Sequence, residues 1–356
     1  MLPPPASPPA PPPASSAPLA AGPRPRGQLI DRQLTDSLGR RFEYLRLSLT
    51  DVCNFRCTYC LPHGYRKQAG RPPELSVAEI RRAVAGFARL GLWKVRLTGG
   101  EPTLRADFAD VARAVAAVPG IRRVAMTTNG YRLAAHAGEW RDAGVSAINI
   151  SVDSLDPARF AAITGHDRLG DVLRGVAAAQ AAGFDSVKLN AVLMRGVNDD
   201  ELAAMIDFVA AHDLSLRFIE VMRTNDNPAF FAERHVAGQS VIDRLEALGW
   251  APQPREGGAG PAVEYAHPAA RGRIGIIAPY ARDFCATCNR LRLSSDGKLH
   301  LCLFGDGGLD LRPLLQDDDV AALAARITAL TATKAPAHRL HVGDSGATRH
   351  LASIGG

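Results

Sequence analysis

The sequence predicts an α/β fold, an incomplete (β/α)6 barrel of the TIM type with a C-terminal extension. Three observations carry this expectation. From about residue 43, short β-branched runs alternate with alanine-rich helical stretches, which is the rhythm of a parallel sheet with helical crossovers. The polar, glycine-containing segments fall just after the strands, where the loops of such a barrel converge on one mouth. Past Met222 the rhythm stops and a region with different punctuation begins. The expected organisation is a leader over 1–27, a barrel over 28–225 and a C-terminal region over 226–356.

Residues 1–27 hold eleven of the chain's 25 prolines and almost no large apolar side chain after Leu2, so disorder is expected there. Arg24, Arg26 and the absence of acidic residues suit a transit peptide, but the prolines argue against the amphipathic helix one needs. The predicted strands are residues 43–49, 93–97, 122–127, 147–152, 186–193 and 215–221. The predicted helices cover 76–90, 106–117, 132–143, 170–182 and 199–212. Ser76-Val77-Ala78-Glu79 has the form of a capping box, and Gly91 closes the first helix.

The C-terminal region reads as a run over 273–277, then a hairpin of 291–294 and 298–304 turned by Ser295-Asp296-Gly297, which puts Cys302 on its second strand. A last helix over 319–331 leads to a tail ending Gly355-Gly356.

Composition narrows the function classes. No stretch approaches the ~18 apolar residues of a membrane span, so no membrane partner is expected. The net charge of +6 asks for an anionic partner. The basic residues are dispersed, without a Lys/Arg run or interleaved aromatics, which favours a small anion over nucleic acid.

The six cysteines divide into Cys53, Cys57, Cys60 and Cys285, Cys288, Cys302 with none left over. Disulfide frameworks belong to small secreted domains. Two three-thiol metal sites in a reducing compartment fit better, and the expected location is the cytoplasm. Zinc with His63 as a fourth ligand, in a nucleic-acid-binding protein, is the bland alternative. An iron–sulfur cube held by three thiolates keeps one iron open for a ligand.

The spacing C-x3-C-x2-C with Tyr59 before the last cysteine, followed by Gly99-Gly100-Glu101-Pro102, resembles the signature of radical S-adenosylmethionine (SAM) enzymes. The resemblance implies a [4Fe–4S] cluster on Cys53, Cys57 and Cys60 whose open iron takes SAM, with a 5′-deoxyadenosyl radical formed on reduction. By the same resemblance, Gly99, Gly100 and Glu101 hold the methionine end.

The second set is followed by Asn289-Arg290-Leu291-Arg292, placing two guanidinium groups on one face of a strand, where they suit phosphate. The string from Phe284 to Arg292, with Tyr44-Leu45-Arg46-Leu47-Ser48, Thr127-Thr128-Asn129-Gly130, Asn149 to Leu155 and the terminal Gly355-Gly356, is similar to the GTP 3′,8-cyclase family of molybdenum cofactor biosynthesis. That likeness runs from about Gly39 to the last residue.

It implies a second [4Fe–4S] cluster on Cys285, Cys288 and Cys302 that binds the substrate base. It places GTP on Arg46, Arg96, Thr127, Lys188, Arg290, Leu291 and Arg292, SAM on Tyr59, Gly100, Ser151 and Met222, and Gly355 and Gly356 in the catalytic site. The implied partners are GTP, an external electron donor and a downstream cyclic pyranopterin monophosphate synthase, with the chain a monomer or homodimer. Another radical SAM enzyme with an auxiliary cluster and a different substrate is the alternative.

Overall fold

The structure, a computed structural model, describes residues 33–67, 70–349 and 351–355. The expected leader and Gly356 lie outside them. The chain forms β1 (Tyr44–Ser48), α1 (Val77–Arg89), β2 (Lys94–Thr98), α2 (Phe108–Ala116), β3 (Arg123–Thr128), α3 (Leu133–Asp142), β4 (Val145–Ser151), α4 (Pro157–Thr164), α5 (Leu169–Ala181), β5 (Ser186–Leu193), α6 (Leu202–Ala211) and β6 (Ser215–Glu220). There follow α7 (Pro228–Arg234), α8 (Gly238–Ala247), β7 (Ala251–Pro252), β8 (Val263–Ala266), β9 (Arg273–Ile277), β10 (Arg290–Leu293), β11 (Lys298–His300), β12 (Leu309–Asp310) and α9 (Val320–Thr331).

The six expected strands form, each within two residues of its expected limits. Helix α4, which was not expected, starts at Asp156, whose side chain accepts from the Arg159 N–H; Pro157 follows, and Gly165 closes the helix at φ +75°. Helix α1 carries the expected capping box of Ser76 and Glu79.

The C-terminal region does not stand apart from the barrel. Strand order is β12-β11-β10-β1-β2-β3-β4-β5-β6-β9-β8-β7. Strand β9 pairs parallel with β6, and β10 pairs parallel with β1. The C-terminal region thus adds one parallel strand at each flank of the six. Helix α9 then returns to lie on α1, where Gly86 leaves room for Leu323 and Ile327.

One expectation is corrected. Cys302 is not on a strand, because β11 ends at His300. The Leu301 carbonyl is taken by the Lys334 ammonium instead of continuing the ladder.

Outward-facing residues such as Leu45, Leu47, Val95 and Leu97 are buried under the helices. Inside, a closed TIM barrel packs its lumen with branched apolar side chains. Here the inward positions carry Arg46, Lys94, Arg96, Lys188, Arg217, Arg290 and Arg292, and charged groups cannot close a dry core. The lumen therefore remains a cavity of about 1030 Å³, room enough for two cofactor-sized molecules.

Candidate active site

All six cysteines line this cavity, and all six are free thiols. The first three sit on the loop after β1, where the Cys57 carbonyl accepts from the N–H groups of Cys60 and Leu61, both at 2.9 Å. Phe55 anchors the loop. It is 3% exposed and packs edge-on against Phe160 and Tyr131 and stacked on His166.

The loop is docked onto Gly99-Gly100-Glu101 by Gly100 N–H to Thr50 O and Glu101 N–H to Val52 O, both 2.8 Å. A Cβ on either glycine would collide with the backbone of residues 50–52, which is why two glycines stand there. Gly99 and Gly100 present their backbone to the cavity.

Glu101 does otherwise: its side chain is not part of the cavity lining. It is 1% exposed. Its carboxylate accepts from Thr103 N–H at 3.1 Å, Thr103 Oγ1 at 2.6 Å, Thr128 Oγ1 at 2.9 Å and Asn129 N–H at 2.7 Å. A carboxylate so satisfied ties the loop after β2 to the C-terminal end of β3.

Tyr59, Ser151 and Met222 line the cavity. The Tyr59 hydroxyl donates to Asp153 Oδ2 at 2.9 Å. Burial raises Asp153 to about 6, although the Val192 N–H and Tyr59 hydroxyl favour its charged form. Burial also pushes the Cys53 thiol up to about 11 and Cys60 to about 12, and raises Cys57, with Glu101 and Asp153 adding negative charge nearby.

Across the lumen the charge reverses. Strand register sets Arg292, Arg46 and Arg96 side by side on β10, β1 and β2, and two residues earlier Arg290, Tyr44, Lys94 and Arg123. Residues two apart share a face, so both rows face inward. Burial brings Arg292 down to about 9 and Lys94 to about 8, with neighbouring arginines adding repulsion to both. Burial would raise the Tyr44 phenol, but Arg96, Arg46 and Lys94 bring it to about 6. Buried cations that repel one another are stabilised by a polyanion set among them.

Thr127 completes this wall beside Arg96. Lys188 reaches it from β5 and shares the Glu264 carboxylate with Arg217, at 3.0 and 2.8 Å. The Leu291 side chain is fully buried in the core between the two arginines, facing away from the cavity. The expected substrate set lacked Lys94 and Arg217. Lys94 was detectable, since it precedes Arg96 by two residues on one strand, the alternation already used for Arg290 and Arg292.

The second thiol set lies against the same cations. The Cys288 N–H donates to the Cys285 carbonyl at 3.2 Å. Burial would raise the Cys288 thiol, yet Arg290, Lys334 and Arg40 lower it; Cys285 is raised, chiefly by burial. Nearby, Arg290 Nη1, Asn289 Oδ1 and His338 Nε2 are buried without a hydrogen-bond partner, and such atoms are costly unless a ligand meets them.

Among the described residues, no three His, Cys, Asp or Glu side chains converge closely enough to hold a single metal ion. Three thiols facing the cavity are the donor set of a [4Fe–4S] cube, whose fourth iron is left for a ligand.

The tail reaches the cavity as well. Gly355, at φ +66°, has a carbonyl that accepts from Arg46 Nε at 2.8 Å and Arg292 Nη1 at 2.6 Å. A Cβ there would collide with Thr98.

Comparison with known proteins agrees with this arrangement. Residues 47–209 match the radical SAM superfamily and residues 214–340 match Molybdenum Cofactor Synthesis C. GTP 3′,8-cyclase of Stenotrophomonas maltophilia is 57% identical over 325 residues, covering 91% of this chain and 99% of that protein. GTP 3′,8-cyclase of Aeromonas hydrophila is 54% identical, covering 93% of this chain and 98% of that protein. The crystal structure of Streptococcus suis SuiB bound to S-adenosylmethionine matches with a TM-score of 0.55 at 13% identity, over 81% of this chain and 68% of that one, and so shares the fold. With relatives this similar along nearly its whole length, and with two thiol triads facing one cation-lined lumen, the chain belongs to the GTP 3′,8-cyclase family of radical SAM enzymes.

Proposed function

We propose that the chain converts GTP to (8S)-3′,8-cyclo-7,8-dihydroguanosine 5′-triphosphate, the first step of molybdenum cofactor biosynthesis. The observation that carries this reading is the cation wall, Arg46, Lys94, Arg96, Arg290 and Arg292, set between two thiol triads in one cavity. A triphosphate bears about four negative charges and takes charge-assisted, often bidentate bonds from arginine.

Cys53, Cys57 and Cys60 would hold one [4Fe–4S] cluster, and Cys285, Cys288 and Cys302 a second. When bound, the first cluster with SAM supplies the one-electron chemistry that removes a ribose hydrogen. The chain's own residues do the positioning. The Gly99-Gly100 backbone, Tyr59, Ser151 and Met222 take SAM. Arg46, Lys94, Arg96, Lys188, Arg217 and the Arg290/Arg292 pair, with Thr127, take the phosphates. Held at both ends, the ribose C3′ and guanine C8 stay within reach of each other, and the effective concentration so gained is a large share of the rate.

The Gly355 carbonyl would keep the tail pressed on Arg46 and Arg292. A low-potential electron donor, a downstream cyclic pyranopterin monophosphate synthase, a monomeric or homodimeric state and a cytoplasmic location complete the proposal. Among the described residues no helix is long and apolar enough to cross a membrane.

The test is an anaerobic incubation with GTP, SAM and dithionite. The expected products are 5′-deoxyadenosine and the cyclised nucleotide in equal amounts. 5′-Deoxyadenosine without cyclised nucleotide would overturn the substrate assignment.

A further inference from the structure

Ahead of β1 the chain makes a tight turn. Asp36 N–H donates to Arg40 O at 3.2 Å and Gly39 N–H to Asp36 O at 3.0 Å, and Asp36 Oδ1 accepts from the N–H groups of Leu38 and Arg40, both at 3.0 Å. The product of this turn is one buried guanidinium. The Arg40 side chain is 7% exposed, and its Nε meets Asp36 Oδ2 at 2.6 Å.

Its other donors leave the turn altogether. Nη1 donates to Pro336 O at 2.6 Å and Cys285 O at 3.1 Å, and Nη2 donates to Ala335 O at 2.8 Å. The Cys285 carbonyl is the same atom that closes the Cys285–Cys288 turn by accepting from Cys288 N–H. Arg40 therefore fixes the turn that spaces two of the thiols, and ties it to residues 335–336.

That segment reaches the third thiol from its other end. Lys334 is 5% exposed. Its ammonium donates to the carbonyl of Leu301, the residue before Cys302, and lies 5.8 Å from the centre of the Phe42 ring. Two buried cations on neighbouring segments thus grip the backbone beside Cys285 and beside Cys302. Arg40 is balanced by the buried Asp36 carboxylate of its own turn, whereas the acceptor of the Lys334 ammonium is a neutral carbonyl. The positive charge of Lys334, which meets a neutral carbonyl, is costly to bury, and three thiolates with their cluster would offset it.

We propose that Arg40 and Lys334 are positioning residues for the second cluster, clamping its thiol-bearing segments at fixed spacing and raising its reduction potential relative to a site without them. This rests on the reading that Cys285, Cys288 and Cys302 hold a cluster. Buried cations beside a cluster stabilise its more negative, reduced form, so removing one moves the potential down.

The experiment is an EPR-monitored redox titration of the anaerobically reconstituted full chain, with iron and sulfide content, on wild type, Lys334→Met, Arg40→Lys and Arg40→Gln. Lys334→Met is expected to keep full iron and shift only the second cluster's midpoint to a more negative value, while 5′-deoxyadenosine formation stays within twofold. Arg40→Gln is expected to lose iron from the second set alone. Arg40→Lys, which keeps the charge but has too few donors for every carbonyl, should restore the midpoint of the clusters that assemble without restoring full occupancy.

Full occupancy with an unmoved second midpoint in both Lys334→Met and Arg40→Gln would overturn the clamp. Wild type holding only about four irons would instead remove the second cluster itself. If Arg40→Gln does not fold, the Lys334→Met midpoint decides.

Discussion

The two thiol triads face one cavity but sit in opposite fields. Around Cys53, Cys57 and Cys60 the nearby ionisable groups are Glu101 and Asp153, and burial with these carboxylates holds the thiols up. Around Cys288 they are Arg290, Lys334 and Arg40, which lower it against the pull of burial. The first triad is also local: one loop holds all three sulfurs, docked on two glycines. The second is assembled from a turn and a distant segment, joined by Arg40 and Lys334. The difference teaches what each site receives. A negatively biased pocket suits the sulfonium cation of SAM, and a positively biased one suits a nucleotide's phosphates.

The largest expected effects separate the triads. Cys57→Ala should abolish 5′-deoxyadenosine formation altogether, whereas Cys288→Ala should retain it and lose only the cyclised nucleotide. Equal loss of 5′-deoxyadenosine in both variants would show that the triads do not divide the work.

Next comes the cation wall. Arg292→Ala removes a buried guanidinium from the nucleotide side, and charged hydrogen bonds are worth about 1.5–3 kcal/mol each. The KM for GTP should rise roughly 10- to 100-fold, with the affinity for SAM unchanged by isothermal titration. A matching loss of SAM affinity would dissolve the distinction between the two sides.

The tail sharpens the comparison at its middle. Gly355→Ala meets Thr98 at a positive φ, a strain of about 1–2 kcal/mol before the collision is counted. Cyclisation should fall about tenfold while both clusters remain loaded, measured by product formation against iron content. Wild-type rates would mean that the tail's hold on Arg46 and Arg292 is dispensable.

The smallest effect is on stability. Burial raises Asp153 to about 6 from its ordinary 3.8, so between those values the native chain binds its proton more tightly than the unfolded chain does. Its contribution to stability therefore falls as pH rises through that window. Asp153→Asn should flatten the Tm profile there; a profile parallel to wild type would contradict the assignment.

Much of this was legible in the sequence because it is local. The C-x3-C-x2-C loop, the paired glycines, the Ser76 capping box and the alternation of Arg290 with Arg292 each lie within one element, where spacing fixes facing. What was not legible depends on pairing between distant segments. Nothing in residues 273–277 or 290–293 announces that they flank β6 and β1, so the region after Met222 read as a separate module. Glu264 meets Lys188 and Arg217 only because β8 folds beside β9. Arg40 stands far from Cys285 in the chain, and its role follows from three carbonyls that carry no sequence signal. Glu101 and Leu291 show the converse: a motif position identifies a residue without saying which way its side chain faces.

The most direct test of the opposed fields is EPR of the reduced, reconstituted chain with each ligand added alone. SAM should perturb only the signal that survives in Cys288→Ala, and GTP only the signal that survives in Cys57→Ala. GTP shifting the Cys288→Ala signal, with the Cys57→Ala signal unmoved, would contradict the account.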